Sequence, residues 1–113
     1  MRIEKRRDST KRLTVEIFNI EIKDYIFLTA KISEKFNLIP SSQFVHGFDE
    51  TFQDYTNKEY IIGLEWDIWS GYRIVAKDTK SEKLVNEIYD WLSLEGVPQK
   101  INLIKRFIEF LRS

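Results

Sequence analysis

A period of two runs through residues 60–76 and limits the fold more than any other pattern in the sequence. Apolar side chains occupy alternate positions of YIIGLEWDI, residues 60–68, and again of YRIVA, residues 72–76. Alternation of this kind is typical of strands with one buried face. Because only Trp-Ser-Gly separates the two stretches, we predict that they form a β-hairpin.

The length of the hairpin loop decides which side chains face each other across the two strands. A two-residue loop, Ser70-Gly71, would mix apolar and charged side chains, whereas a three-residue loop, residues 69–71, keeps one face apolar. We therefore predict the longer loop, with Gly71 in the left-handed conformation and Asp67 opposite Arg73. The apolar pairs expected from this register are Ile68 with Tyr72, Trp66 with Ile74, and Leu64 with Ala76.

The first half of the chain predicts a strand, a helix and an ambiguous segment. Residues 1–11 are polar and aperiodic, so we expect a basic tail or the approach to a first strand at residues 12–19. Residues 22–37 carry apolar side chains three or four positions apart, as one side of a helix does. Residues 43–55 fit either a strand bulged at Gly47 or a helical turn, and we favour the strand. The helix side expected to be buried comprises Ile22, Tyr25, Ile26, Thr29, Ile32 and Phe36.

Two helices are predicted in the last third of the chain. Thr79 and Glu82 have the spacing of a capping box, and Gly96 can end the helix that they begin. Pro98 suits the first turn of a C-terminal helix that is apolar on more than one side. The sequence thus predicts a single α+β domain over residues 1–113, in the order β-α-β-β-β-α-α. Its antiparallel sheet would contain the N-terminal strand and a three-strand meander, with helices packed on one face.

The composition excludes several classes of site. The chain has no cysteine, so disulfides, thiolate metal centres and cysteine nucleophiles are absent. There is one histidine, and no glycine loop for phosphate or acidic loop for calcium occurs, so we expect neither a cofactor nor a metal site. No apolar run reaches the length of a membrane span, and we expect a cytoplasmic protein with no membrane partner.

Charge is segregated along the chain although the formal net charge is zero. Residues 1–12 are basic, whereas residues 44–69 contain six acidic residues and a single lysine. A broad basic surface is not indicated, so we do not expect nucleic acid as a partner. The pattern instead predicts a local acidic surface suited to a basic protein partner.

The predicted hairpin supplies the candidate binding residues. Glu65, Asp67 and Arg73 share the sheet face that the register leaves open, and Trp69 lies at the bend. Tryptophan and arginine are frequent at the centres of protein interfaces. We therefore predict a partner-binding surface made of Glu65, Asp67, Trp69, Arg73, Asp49 and Glu50, with no catalytic residue.

Two other functions stay open from the sequence. A small enzyme could use the carboxylates Glu65 and Asp67, or His46 as a general base if a carboxylate oriented its ring. Alternatively, the apolar C-terminal helix could join two copies of the chain in a homodimer.

One segment also resembles a known group of proteins. Residues 63–88, GLEWDIWSGYRIVAKDTKSEKLVNEI, resemble hairpin-plus-helix segments of small bacterial immunity-type proteins from toxin–immunity systems. The resemblance implies a small, non-enzymatic cytoplasmic protein that neutralises a toxin. It implies that Glu65, Asp67, Trp69 and Arg73 contact that toxin.

Overall fold

The fold is known from a computed structural model that describes residues 2–98 and Leu111. Within these residues the chain forms one seven-stranded antiparallel sheet and two α-helices. The strands are β1 (Ile3–Arg7), β2 (Leu13–Ile17), β3 (Ile39–Pro40), β4 (Val45–His46), β5 (Glu50–Asn57), β6 (Tyr60–Asp67) and β7 (Gly71–Ala76). The helices are α1 (Tyr25–Phe36), which follows a 3-10 turn at Ile22–Asp24, and α2 (Glu82–Glu95). The predicted α+β class with an antiparallel sheet is confirmed.

The strand order is β1-β2-β7-β6-β5-β3, and β4 pairs with β5 next to β3. The predicted meander corresponds to β5, β6 and β7, which pair in sequence. Strand β2 pairs with β7, so the N-terminal strands extend the meander on its far side.

One face of the sheet carries the core. Val15, Leu64 and Ile74 are fully buried there and belong to the apolar cluster that also contains buried side chains of α1 and α2. Burial of each such side chain stabilises the fold by about 1.5–3 kcal/mol. The two helices also meet directly, because the rings of Phe36 and Trp91 pack edge to face at 5.6 Å.

The predicted register of the central hairpin is wrong by two residues. Asp67 pairs with Gly71, so the loop is Ile68-Trp69-Ser70. Asp67 stabilises this turn, since its Oδ1 accepts hydrogen bonds from the backbone N–H groups of Trp69 (2.9 Å) and Ser70 (2.6 Å). A shift of two preserves the face of every side chain but changes its partner. The observed pairs are Trp66 with Tyr72, Leu64 with Ile74, and Glu65 with Arg73.

Gly71 has the positive φ that the sequence predicts, at 80°. A second constraint acts at the same residue. A Cβ atom on Gly71 would lie 2.5 Å from the backbone oxygen of Ile17 on the neighbouring strand. Glycine is therefore required here both for the turn and for the close approach of β2.

The expected basic tail contains an edge strand. Residues of β1 pair with β2 in register, from Ile3 opposite Ile17 to Arg7 opposite Leu13. Alternation is hard to see in this strand because its charged side chains find partners on both faces. Arg6 bonds to Glu16 on one side, and Arg7 bonds to Glu82 on α2 on the other.

Residues 43–55 form two strands rather than one bulged strand. Val45 and His46 in β4 pair with Phe52 and Thr51 in β5. Gly47 lies in the connecting turn, where its N–H donates to the carbonyl of Glu50 at 2.7 Å. The glycine thus reverses the chain instead of producing a bulge.

The first two predicted helices are found at the expected positions but differ in detail. Helix α1 ends at Phe36 and is capped by Asn37, which takes the left-handed conformation. Ile22 and Ile26 are exposed, however, and Leu28 is buried instead. At the start of α2, the predicted capping box between Thr79 and Glu82 does not form. Asp78 accepts the N–H of Ser81 there, at 2.8 Å, and the Glu82 carboxylate bonds to Arg7.

The end of α2 agrees with the sequence, since Gly96 follows it with a φ of 82°. The predicted C-terminal helix lies outside the described residues, apart from Pro98 and Leu111. Neither described helix combines the length and hydropathy needed to cross a membrane.

Candidate partner-binding surface

The sheet face opposite the core carries a network of ion pairs, here called the ionic face. It is built by alternate residues of β1, β2, β5, β6 and β7 together with the adjoining loops. Its members are Arg6, Asp8, Arg12, Glu16, Asp54, Glu65, Arg73 and Lys77.

Arg73 is the centre of the ionic face. It lies on β7 between Glu65 on β6 and Glu16 on β2, directly opposite both. Its guanidinium nitrogens approach Glu65 at 3.6 Å and both Glu16 and Asp8 at 3.9 Å. Glu16 is 3% exposed, and Arg6 gives it a direct hydrogen bond at 2.9 Å. A buried carboxylate is tolerated here because two arginines surround it.

A lysine continues the network toward β5. The Nζ atom of Lys77 lies 3.4 Å from both Glu65 and Asp54. The side chain of Lys77 passes over Gly63, where a Cβ atom would come within 2.8 Å of both Lys77 and Glu65. The missing side chain at Gly63 therefore makes room for the contact.

Asp8 closes the network from the β1–β2 loop. Burial alone would raise the pKa of Asp8, but hydrogen bonds from Arg12 and Thr10 outweigh burial and hold the pKa well below its usual value. These bonds come from the backbone N–H groups of both residues, the Thr10 hydroxyl and the Arg12 guanidinium. Asp8 is thus fixed in its charged form.

The consequence is that positive and negative charges cancel on the ionic face. The basic N-terminal residues and the acidic middle residues, which are segregated in the sequence, meet in the sheet. Of the six predicted contact residues, Glu65 and Arg73 lie inside this network. The other four lie elsewhere.

Asp49, Glu50, Asp67 and Trp69 come together at one end of the sheet. Glu50 pairs directly with Asp67 across β5 and β6, and the N–H of Ile68 bonds to the carbonyl of Asp49 at 3.1 Å. With Phe48 and Ile68, these residues form what we call the hairpin end, comprising Phe48, Asp49, Glu50, Asp67, Ile68 and Trp69. Among the described residues none of its three carboxylates has a salt-bridge partner.

Large apolar side chains accompany these carboxylates. Phe48 is fully exposed, Trp69 is 75% exposed and Ile68 is 54% exposed. Sequence reasoning missed Phe48 and Ile68, since the predicted register placed Ile68 on the buried face. The Asp-x-x-Ser spacing of Asp67 and Ser70, typical of a side-chain-stabilised turn, could have identified the correct loop.

A groove of roughly 500 Å³ borders the hairpin end on the helix side of the sheet. Ile22 of the 3-10 turn, His46, Gly47, Phe48 and Trp66 line it. The indole N–H of Trp66 donates to the carbonyl of Ile20 at 2.7 Å. This bond holds the ring on the apolar face of the sheet, where the sequence predicts it.

His46 has a different partner from the one that a general base would need. Its Nδ1 lies 2.7 Å from the hydroxyl of Thr51, and its ring stacks on Phe44. Within residues 2–98 and Leu111, no carboxylate bonds to His46 and no three metal-ligating side chains converge.

Comparison with known protein families, curated proteins and solved structures gave no match.

Proposed function

We propose that the protein is a non-catalytic binding module that engages a protein partner through the hairpin end. The observation that carries the proposal is a combination in one place: three carboxylates that have no salt-bridge partner within residues 2–98 and Leu111, and three exposed apolar side chains. Large apolar residues grouped on a surface commonly mark an interface. Trp69 provides the kind of large aromatic side chain that dominates binding energy.

The pairing of Glu50 with Asp67 also supports binding at the hairpin end. Like charges directly opposite each other in a sheet are destabilising. Local features that oppose stability are often found where a protein functions. A basic group from a partner would relieve this repulsion.

The ion pairs of the ionic face favour a role in stability rather than in binding. Glu65 and Arg73 neutralise each other and their neighbours, so a partner would have to break internal ion pairs to use them. We therefore assign the ionic face to stability and the hairpin end to binding.

Toxin neutralisation is the most specific version of this proposal. The immunity-type resemblance of residues 63–88 includes the loop that carries Trp69. Carboxylates at the hairpin end suit a basic toxin, since complementary charge speeds association. In this version the protein acts in the cytoplasm, bound to its toxin.

Affinity capture from the native cell, followed by mass spectrometry, tests the proposal when matched variants are used. Trp69→Ala should lose the captured protein, with affinity weakened by about 30-fold or more. Ile39→Ala is the control, because Ile39 is 64% exposed and pairs with Thr56 at the opposite end of β5. Equal loss in both variants, or in neither, would contradict binding at the hairpin end.

The toxin version needs a second measurement. The captured protein should slow growth when produced alone, and co-production of the wild-type chain should restore growth. Trp69→Ala should fail to restore growth, whereas Ile39→Ala should restore it. A captured partner without toxicity would leave the binding module in place and remove the toxin version.

A further inference from the structure

We propose that the groove beside the hairpin end receives a bulky apolar side chain from a partner segment, with lysine or arginine residues on either side of that side chain. The inference rests on the proposed function and specifies the chemistry of the partner. Its occupant is a peptide segment of another protein.

The groove walls select an apolar group because, apart from Nε2 of His46, the polar side-chain atoms of the lining are already bonded. Trp66 donates its N–H to Ile20, which leaves the apolar surface of the ring to line the groove. The side chains of Ile22 and Phe48 have no polar atoms. His46 uses Nδ1 for Thr51, and its Nε2 is the remaining polar side-chain atom of the lining.

The partly open apolar lining indicates an external occupant. Phe48 is fully exposed and Ile22 is also exposed, although both are apolar. Removal of such surface from water would contribute roughly 25 cal/mol per Å². A side chain inserted between the two would cover them without a change in the fold.

The acidic residues around the groove favour basic residues on either side of the partner's apolar side chain. Asp24 lies two positions after Ile22, and Asp49 follows Phe48 directly. Neither Asp24 nor Asp49 has a salt-bridge partner among the described residues, and Glu50 and Asp67 lie at the same end of the sheet. The nearby Lys23 is already paired with Glu21. A segment with a positive charge on each side of its apolar side chain complements this arrangement.

Gly47 allows the groove to be blocked without damage to the fold. It does not have a positive φ, and a Cβ atom there would make only ordinary contacts, with the Glu50 backbone oxygen at 3.4 Å. Because Gly47 lines the groove, Gly47→Leu should reduce its free volume. Gly47→Ala serves as the smaller matched change.

The indole N–H signals of the three tryptophans make a site-resolved NMR test possible. The probes are three five-residue peptides: phenylalanine between two pairs of lysines, alanine in the same frame, and phenylalanine between two pairs of glutamates. The lysine–phenylalanine peptide should shift the Trp66 signal. The Trp91 signal should stay in place, since Trp91 lies on α2 against Phe36 and does not line the groove.

Variants then assign the shift to the groove and its charge. Gly47→Leu should weaken the effect on Trp66 by about tenfold, and Asp49→Lys should weaken it to a similar extent. Gly47→Ala should have a smaller effect than Gly47→Leu. Melting temperatures of the variants close to that of the wild type exclude loss of the fold as the cause.

Each contrary result has a separate meaning. A Trp66 signal that stays fixed up to millimolar peptide overturns the inference, and equal shifts with the alanine or glutamate peptides overturn its apolar or its charge component. A shift of Trp69 alone would place binding at the hairpin end outside the groove, which leaves the proposed function intact. A dimer that Gly47→Leu dissociates would identify a second copy as the occupant and overturn the inference.

Discussion

The ionic face and the hairpin end both contain several carboxylates, and they differ in whether those carboxylates have partners. On the ionic face every carboxylate lies within 4 Å of a cationic nitrogen. At the hairpin end Glu50 pairs across the strands with another acidic residue, Asp67, and neither has a salt-bridge partner among the described residues. The charge available to a partner therefore depends on strand neighbours rather than on the number of acidic residues. We also expect opposite effects of mutation in the two regions.

The largest effect is expected at the centre of the ionic face. Arg73→Met removes the cation that lies among Glu16, Glu65 and Asp8 while keeping much of the side-chain volume. Loss of one partner from a largely buried ionic group leaves uncompensated charge, and we expect a loss of about 3 kcal/mol in the free energy of unfolding. Urea denaturation followed by tryptophan fluorescence measures it.

Lys83→Met is the control for this change, because Lys83 is exposed on α2 and has no salt bridge within the described residues. Its effect should stay within about 0.5 kcal/mol. If the two variants lost the same small amount of unfolding free energy, the network would not contribute to stability. The assignment of the ionic face to stability would then be wrong.

The next effect concerns the base of the hairpin end. Gly71→Ala should cost about 2 kcal/mol or more, because the left-handed conformation disfavours a Cβ atom and that atom would also meet the Ile17 carbonyl. Gly96→Ala shares a positive φ, but its Cβ would meet no atom of the described residues within 4 Å, and the change should cost about 1 kcal/mol. Thermal unfolding of both variants measures the difference, and identical losses would show that the contact with β2 is unimportant.

These two regions also show how far the sequence can predict the structure. The period of two correctly assigned Leu64, Trp66 and Ile74 to the apolar face, because side-chain parity is a local property of a strand. The register could not be obtained in this way, since a shift by two positions preserves parity and leaves the apolar pattern equally satisfied. The choice depends on Asp67 and its bonds to the loop N–H groups.

The contacts of the ionic face could not be predicted from the sequence, for a different reason. Arg6 and Asp8 belong to a polar segment without periodicity, and only the pairing of β1 with β2 brings them to Glu16 and Arg73. Such contacts depend on strand order, which a single sequence does not reveal. The hairpin end was partly predicted, because the Ser-Gly pair indicates a loop that contains Trp69 and follows Asp67 closely.

Acid should weaken the ionic face through Asp8. Because the folded-state pKa of Asp8 is lowered, its contribution to stability is present above the unfolded pKa of about 3.9 and is lost as pH falls toward the folded value. Asp8→Asn should be less stable than the wild type at neutral pH, and the two stability curves should converge between about pH 5 and about pH 2.5. Urea midpoints measured across this range test the sign. Parallel curves would mean that Asp8 does not contribute through its charge.

The smallest effect on stability is the most informative about function. Glu50→Lys replaces a like-charge pair with an opposite pair across β5 and β6, and it should raise the free energy of unfolding by about 0.5 kcal/mol. Glu59→Lys makes the same change of charge in the turn at the other end of the same two strands, where it should have little effect on stability. If the hairpin end binds a basic partner, Glu50→Lys should also weaken capture by about tenfold, whereas Glu59→Lys should preserve it. A gain in stability coupled to a loss of binding is expected only where the repulsion between Glu50 and Asp67 serves the partner. A gain in stability with unchanged capture would mean that the two carboxylates have no part in recognition, and Trp69 with its apolar neighbours would then have to account for binding alone.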